Sequence, residues 1–155
     1  MEDSLIIRND ILINASRERV WDALTNPQQT TKYMFGCQAL SDWKPGSELL
    51  WEGELEGKKM VFVKGQVVDI DPPNHLAYTV IDPNNPGIPD IPENYLTVTY
   101  TLSDEHGKTR LTVTQGDYSK VADGQKRYED SYNKGEGWNP ILVAIKNLVE
   151  SQAVN

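Results

Sequence analysis

Few residues in this chain could carry covalent or metal chemistry. Cys37, His75 and His106 are its only thiol and imidazole groups, and none stands at metal-ligand spacing. His106 falls in Asp104-Glu105-His106-Gly107, a turn sequence, so solvated histidines are expected. A serine nucleophile would need a Gly-x-Ser-x-Gly elbow and a partnered histidine, and the sequence offers neither. Gly135-Glu136-Gly137-Trp138-Asn139-Pro140 starts like a dinucleotide fingerprint, but it ends in proline and no strand precedes it. Glu52, Glu54 and Glu56 share one strand parity, which reads as a row of solvated charges rather than a paired acid and base. No catalytic residue, metal ligand or cofactor is expected, and the balance leans away from an enzyme.

What remains is aromatic. Thirteen aromatic residues are spread over the whole chain, from Trp21 to Trp138. About two-thirds of them must serve ordinary core packing. The rest are expected to line a pocket, because Tyr and Trp offer an apolar wall with a polar tip. The expected lining is Trp43, Trp51, Phe62, Tyr78, Tyr95, Trp138 and Leu142.

The element that must position them is the last helix, expected from about Tyr128 to Gln152. Ile141, Leu142, Ile145, Leu148 and Val149 fall on one face of a 3.6-residue repeat, and Trp138, Tyr132 and Tyr128 extend it backwards. Burying five or six such side chains stabilises by roughly 10 kcal/mol before the entropy of ordering is set against it. The other large apolar elements are strands, so strands must cover this stripe. Gly124, Gly135, Gly137 and Pro140 interrupt the helix before its strongest part. Either the helix restarts at Asn139 and Pro140, or it continues through a weakened stretch that could hinge. The glycines could equally serve close packing beside Trp138.

The remaining elements read in order. Leu5 to Ile13 alternates as a strand. Ser16 is a helix cap, and Val20, Trp21 and Leu24 give a short helical face. Asn26-Pro27 ends that helix and starts a second one, running to about Met34 before Gly36. Strands are expected at Cys37–Ser41, Glu48–Glu54, Met60–Ile70, Leu76–Ile81, Tyr95–Leu102 and Thr109–Gln115. The longest, Met60–Ile70, has apolar residues on both parities, so either both its faces are partly covered or Gly65 marks a bulge that switches faces. The last two strands each have one apolar and one threonine-rich face, so one side of the sheet is expected to meet water. Asp82–Pro92 holds four prolines and is expected to be a loop at the mouth of a cavity. The order is strand, two short helices, six strands, one long helix. It buries its apolar faces only if the sheet wraps around the helix.

Composition bounds the function. At 155 residues and 38% hydrophobic, the chain has the size and apolar content of one domain, spanning 1–155. Its mean hydropathy is −0.55 and it contains no 18-residue apolar run, so no membrane span is expected. The acidic start Met1-Glu2-Asp3-Ser4 is unlike a signal peptide, and the single cysteine excludes an intrachain disulfide framework, so cytoplasm is the expected compartment. Asn14-Ala15-Ser16 is then a chance match to a glycosylation acceptor. A net charge of −8 and a pI near 4.7 disfavour nucleic acid and anionic membranes. The expected partner is a small apolar molecule, and the expected state a monomer or weak homodimer.

Three blocks carry a family resemblance. They are Ile13-Asn14-Ala15-Ser16-Arg17-Glu18-Arg19-Val20-Trp21-Asp22-Ala23-Leu24-Thr25-Asn26-Pro27, then Gly65 to Thr79 around Asp71-Pro72-Pro73-Asn74-His75-Leu76, then Gly137-Trp138-Asn139-Pro140-Ile141-Leu142 with Leu148. The chain resembles the helix-grip superfamily of birch-pollen-allergen-like and lipid-transfer (START-like) domains, also called SRPBCC. Within it, the chain is most similar to the family named for likeness to the activator of the ninety-kilodalton heat-shock chaperone's ATPase. The resemblance implies an α+β helix-grip fold: a seven-stranded antiparallel sheet around a C-terminal helix, two short helices after strand one, and a cavity between sheet and helix. It implies binding of a lipid-like or aromatic ligand more readily than catalysis. Two other readings come with it. One is a co-chaperone-like ATPase activator, although the full activator carries an additional domain for which 155 residues leave no room. The other is a cyclase- or hydrolase-type enzyme, against which stands the lack of an acid/base pair. The Asp82–Pro92 loop is longer than the resemblance implies.

Overall fold

The computed structural model describes residues 5–34, 36–84, 87–122, 124–132 and 137–151. Strand β1, Ile7–Ile13, leads into helix α1, Arg17–Thr25, whose first turn is capped by Ser16 accepting from the Arg19 N–H. Asn26 then serves two helices. Its own N–H closes α1 on Asp22, and its side chain accepts from the Gln28 N–H to start α2, Pro27–Thr30. Pro27 fits because the first helical residue needs no donor. Helix α2 is shorter than expected; turn-type hydrogen bonds carry the chain on to Met34. The fully buried Thr30 hydroxyl donates to the carbonyls of Pro27 and Cys37 and accepts from the Ala39 N–H, which fixes α2 against the next strand.

Six further strands follow: β2 Gln38–Ser41, β3 Glu48–Leu55, β4 Lys58–Asp71, β5 His75–Val80, β6 Leu96–Glu105 and β7 Lys108–Gly116. Together with β1 they form one antiparallel sheet in the order β1-β7-β6-β5-β4-β3-β2. Parity falls as the alternation predicts. Leu96, Val98, Tyr100, Leu102, Leu111 and Val113 are buried, while Thr97, Thr99, Thr112 and Thr114 are partly exposed.

Gly65 is not a bulge. The register of β4 shifts at two other places, leaving Phe62 without a partner against β3 and Val68 without one against β5. Gly65 instead sits where the backbones of β4 and β5 touch. A Cβ there would lie 1.6 Å from the Thr79 carbonyl oxygen.

The C-terminal segment comes as two helices rather than one, α3 Gly124–Tyr132 and α4 Asn139–Ser151. Residues 133–136 and Gln152 lie outside the described ones, and with them Gly135 and the first half of the expected hinge, Asn133–Pro140. Pro140 explains the restart. It sits in the first turn of α4, where no intrahelical donor is needed, and Leu142 N–H to Trp138 O is an opening bond of the helix. Gly137 answers the packing alternative: its φ is +46°, and a Cβ would meet Asn9 Oδ1 at 2.5 Å and Ile7 Cγ2 at 2.9 Å on β1. Tyr128 and Tyr132 therefore do not extend the α4 stripe. They stack on each other with ring centroids 5.5 Å apart, and Tyr128 also packs on Tyr118.

On α4, Leu142, Ile145 and Val149 are fully buried, Ile141 and Leu148 partly so, and Val143 and Asn147 are exposed. Its far end is clamped. Glu150 accepts from the Asn14 N–H and from Lys146, and Arg19 donates to the Val149 carbonyl. Among the described residues no helix is long and apolar enough to cross a membrane.

Candidate functional site

The sheet's inner face and α4 enclose a cavity of about 290 Å³. Each inner strand sends one or two side chains into it at alternate positions. Trp51 comes from β3, Val63 from β4, Tyr78 and Val80 from β5, Val98 from β6 and Gln115 from β7. Met34, after α2, closes one side, and Gly137, Trp138 and Ile141 close the other. Among the described residues no charged side chain is in this lining.

The aromatic wall is continuous. Trp51, Tyr78, Tyr100 and Trp138 follow one another with ring centroids 6.2, 5.6 and 6.0 Å apart, the last two contacts edge-to-face. The Tyr78 and Tyr100 hydroxyls bond each other at 2.8 Å, and Tyr33 donates to the Ala23 carbonyl at 2.7 Å. Burial pushes all three hydroxyls well above the usual tyrosine range, so they stay neutral at physiological pH. The Trp138 indole N–H donates to Gln115 Oε1 at 2.8 Å, and its backbone N–H donates to Asn9 Oδ1 at 2.9 Å. The wall is thus set by hydrogen bonds made behind it as well as by packing.

A second depression of about 270 Å³ shares Val63, Val80 and Gln115 with the cavity. It opens between the sheet and α3, past Asp82, Arg127 and Asp130, and forms the mouth.

The structure brings together three of the seven residues expected in the lining: Trp51, Tyr78 and Trp138. Leu142 is fully buried beneath α4 as core. Phe62, out of register in β4, packs where a Cβ on Gly53 would be, beside Cys37. Trp43 borders a shallow surface depression with Asp42 and Glu48, on a backbone of φ +55°. Tyr95 is on the sheet's other face. There a groove of about 370 Å³ is lined by Lys64, Gln66, Thr79, Asp90 and Pro92, and Tyr95 donates to Asp90 at 2.6 Å. The Lys64 ammonium, 2.5 Å from Asp90, holds that carboxyl below its ordinary range. The proline-rich segment therefore reaches the cavity mouth only at Asp82; Asp90 to Pro92 wall the opposite face, and 85–86 lie outside the described residues. Sequence reading missed Met34, Val63, Val80, Val98, Gln115 and Ile141. Only Gln115 carried a signal, as a polar residue on the apolar parity of β7.

Among the described residues no group of His, Cys, Asp and Glu could hold a metal ion. Cys37 is buried, and burial raises its thiol pKa.

The model of the family described as activator of Hsp90 ATPase homolog 1-like protein matches residues 14–150. A protein of Cytophaga hutchinsonii, solved in solution, is 38% identical, with TM-score 0.73 and 98% of each chain covered. A crystal structure of a protein from Nitrosomonas europaea shares the fold at 18% identity and TM-score 0.72, again with 98% of each chain covered. The Aha1 dimer of Colwellia psychrerythraea shares it at 16% identity and TM-score 0.67, covering 96% of this chain and 98% of that one. Among curated proteins no relative matches at a significant level.

Proposed function

The chain belongs to the family of activator of Hsp90 ATPase homolog 1-like proteins, and from that premise we propose that it binds a small, largely apolar ligand between sheet and α4, without covalent chemistry. The observation that carries this reading is the lining itself: aromatic and aliphatic side chains from β3 to β6 and from the start of α4, one carboxamide from β7, no charge among the described residues, and a volume of about 290 Å³. That volume sits at the lower end of ligand sites, so the occupant is a compact ring system or a short chain. The buried tyrosines favour binding over catalysis, since hydroxyls held neutral supply neither a base nor an anionic nucleophile near pH 7. We also propose that the protein works as a monomer or weak homodimer, and we place that work in the cytoplasm.

Native mass spectrometry of gently purified protein tests the reading. The expected spectrum shows a small apolar adduct, or takes one up when a two-ring aromatic probe is added, and Val98→Trp abolishes uptake by filling the cavity. A folded protein whose mass and cavity resonances ignore every apolar probe would refute it. The family description favours one second reading, stimulation of a chaperone ATPase. A chaperone ATPase assay with and without the Val98→Trp variant separates the two, because stimulation through an outer surface would survive the filled cavity.

A further inference from the structure

Among the described residues Gln115 is the one side chain in the cavity lining with a polar amide, and it occupies the inward parity of β7 after Leu111 and Val113. Ile7 and Val98 are its cross-strand neighbours. An apolar residue would fill this inward position without any polar group, whereas the half-buried Gln115 carries a carboxamide whose two ends can each take a partner. One end is accounted for. The indole N–H of Trp138 can only donate, so the atom facing it at 2.8 Å must be the carboxamide oxygen. That fixes the amide's orientation and turns its N–H₂ away from Trp138. Among the described residues no acceptor receives this N–H₂. Both the cavity and its mouth are lined by Gln115.

We propose that Gln115 is the specificity determinant of the cavity, and that the ligand is an apolar ring system ending in a neutral hydrogen-bond acceptor, a ketone, ester or amide carbonyl, which receives the Gln115 N–H₂. This rests on the cavity being the ligand site. The sign of the polar anchor follows from Trp138: with one lone pair of its oxygen taken by the indole, Gln115 presents two N–H donors against one remaining acceptor position, so a carbonyl, which only accepts, is the better match than a group that only donates. Neutrality follows from the surroundings. Among the described residues the cavity lining has no cation to compensate a carboxylate, and the mouth sets Asp82 and Asp130 against Arg127. Arg127 is itself engaged, donating to the Ala122 carbonyl.

Three probes on one scaffold test this: methyl naphthyl ketone, isopropylnaphthalene and naphthoate, titrated at pH 7 while the Trp138 indole N–H resonance and cavity methyl groups are followed by NMR. A net hydrogen bond of about 0.5–1.5 kcal/mol corresponds to a ketone bound roughly two- to twelvefold tighter than the hydrocarbon. Naphthoate should bind more weakly than the ketone. Gln115→Met removes the whole amide. Gln115→Leu removes it as well with a different apolar shape, so a loss common to both variants reports the donor rather than the packing. In both variants the ketone preference should fall to near unity while the hydrocarbon still binds. A ketone no tighter than the hydrocarbon in the unaltered protein, a preference that survives in the variants, or naphthoate as the tightest probe would each overturn the proposal while leaving the cavity as an apolar site. Cavity resonances unmoved by all three probes would overturn the cavity reading, and this inference with it.

Discussion

Gly65→Ala should be among the costliest single-methyl changes in the sheet. Its Cβ would lie 1.6 Å from the Thr79 oxygen and 2.4 Å from the Thr79 carbonyl carbon. Carbon and oxygen tolerate about 3.3 Å, so the two backbones would have to part by roughly 1.7 Å. Three hydrogen bonds cross this point: Lys64 N–H to Ile81 O at 3.0 Å, Ile81 N–H to Lys64 O at 2.8 Å, and Gln66 N–H to Thr79 Oγ1 at 2.9 Å. None survives such a separation. At about 1 kcal/mol each the loss is about 3 kcal/mol, against which alanine recovers about 0.5–1 kcal/mol by restricting the unfolded chain. The expected net cost is about 2–3 kcal/mol, read as a lower urea midpoint in far-UV circular dichroism with an unchanged slope. Amide exchange should accelerate at Lys64, Gln66 and Ile81 but not along β6 and β7. Val63 and Val80 flank the same crossing, so the cavity wall should loosen with it. A variant within about 0.5 kcal/mol of the parent, or one whose exchange rises uniformly, would refute the close-contact explanation of this glycine.

Three further perturbations test the rest of the framework. Leu142→Ala and Ile145→Ala should each cost about 2–5 kcal/mol and Asn147→Ala less than about 0.5 kcal/mol in urea unfolding; equal costs would mean that α4 is not gripped by the sheet. Tyr78→Phe strands the Tyr100 hydroxyl and should cost about 1–2 kcal/mol, while the double Phe variant should cost less than the sum of the two single changes. Burial raises both tyrosine pKa values in the folded state, so their contribution is present below about pH 10 and is lost as pH rises further; the double variant should show a shallower alkaline decline in thermal melts. Glu150 has the opposite sign. The Lys146 hydrogen bond, then the Asn14 N–H, lower its pKa, so its contribution is present above about pH 4.3 and fades as pH falls. Glu150→Gln should therefore be less stable than the parent at pH 7 and match it near pH 2; a stability gap independent of pH would rule this out.

The fold was legible because each element announces itself locally. Ser16 and Asn26-Pro27 mark helix starts by their side-chain chemistry, and the Leu96–Leu102 alternation marks an inner and an outer face by period alone. The break between α3 and α4 was half legible. Pro140 states that a helix can begin there, but the Gly137 contact with Asn9 and Ile7 is a tertiary fact that no local pattern contains. The lining was less legible for the same reason. Tyr95 and Trp51 are equally aromatic, and only the pairing register puts them on opposite faces of the sheet. The register slip at Phe62 takes that ring out of the cavity series, and nothing around it in sequence signals the slip. Val63, Val80 and Val98 look like any core valine. Gln115 could have been singled out by parity, as a polar side chain where the pattern asks for an apolar one.

The pairing of β1 with β7 bears on how the chain reaches this state. Ile7 meets Gln115 and Ile13 meets Thr109, partners about a hundred residues apart, whereas β3 to β5 and β6 to β7 join their immediate neighbours. During synthesis the first strand must therefore wait until nearly the whole chain has emerged before its edge is covered. Gly137 rests on β1, and the Trp138 backbone N–H donates to Asn9 Oδ1 on the same strand. The wall that would hold a ligand thus exists only after the N-terminal strand has docked. Local hairpins should form early, the longest closure late, and the binding site last, so an apolar ligand present during refolding should slow unfolding while leaving the folding rate almost unchanged.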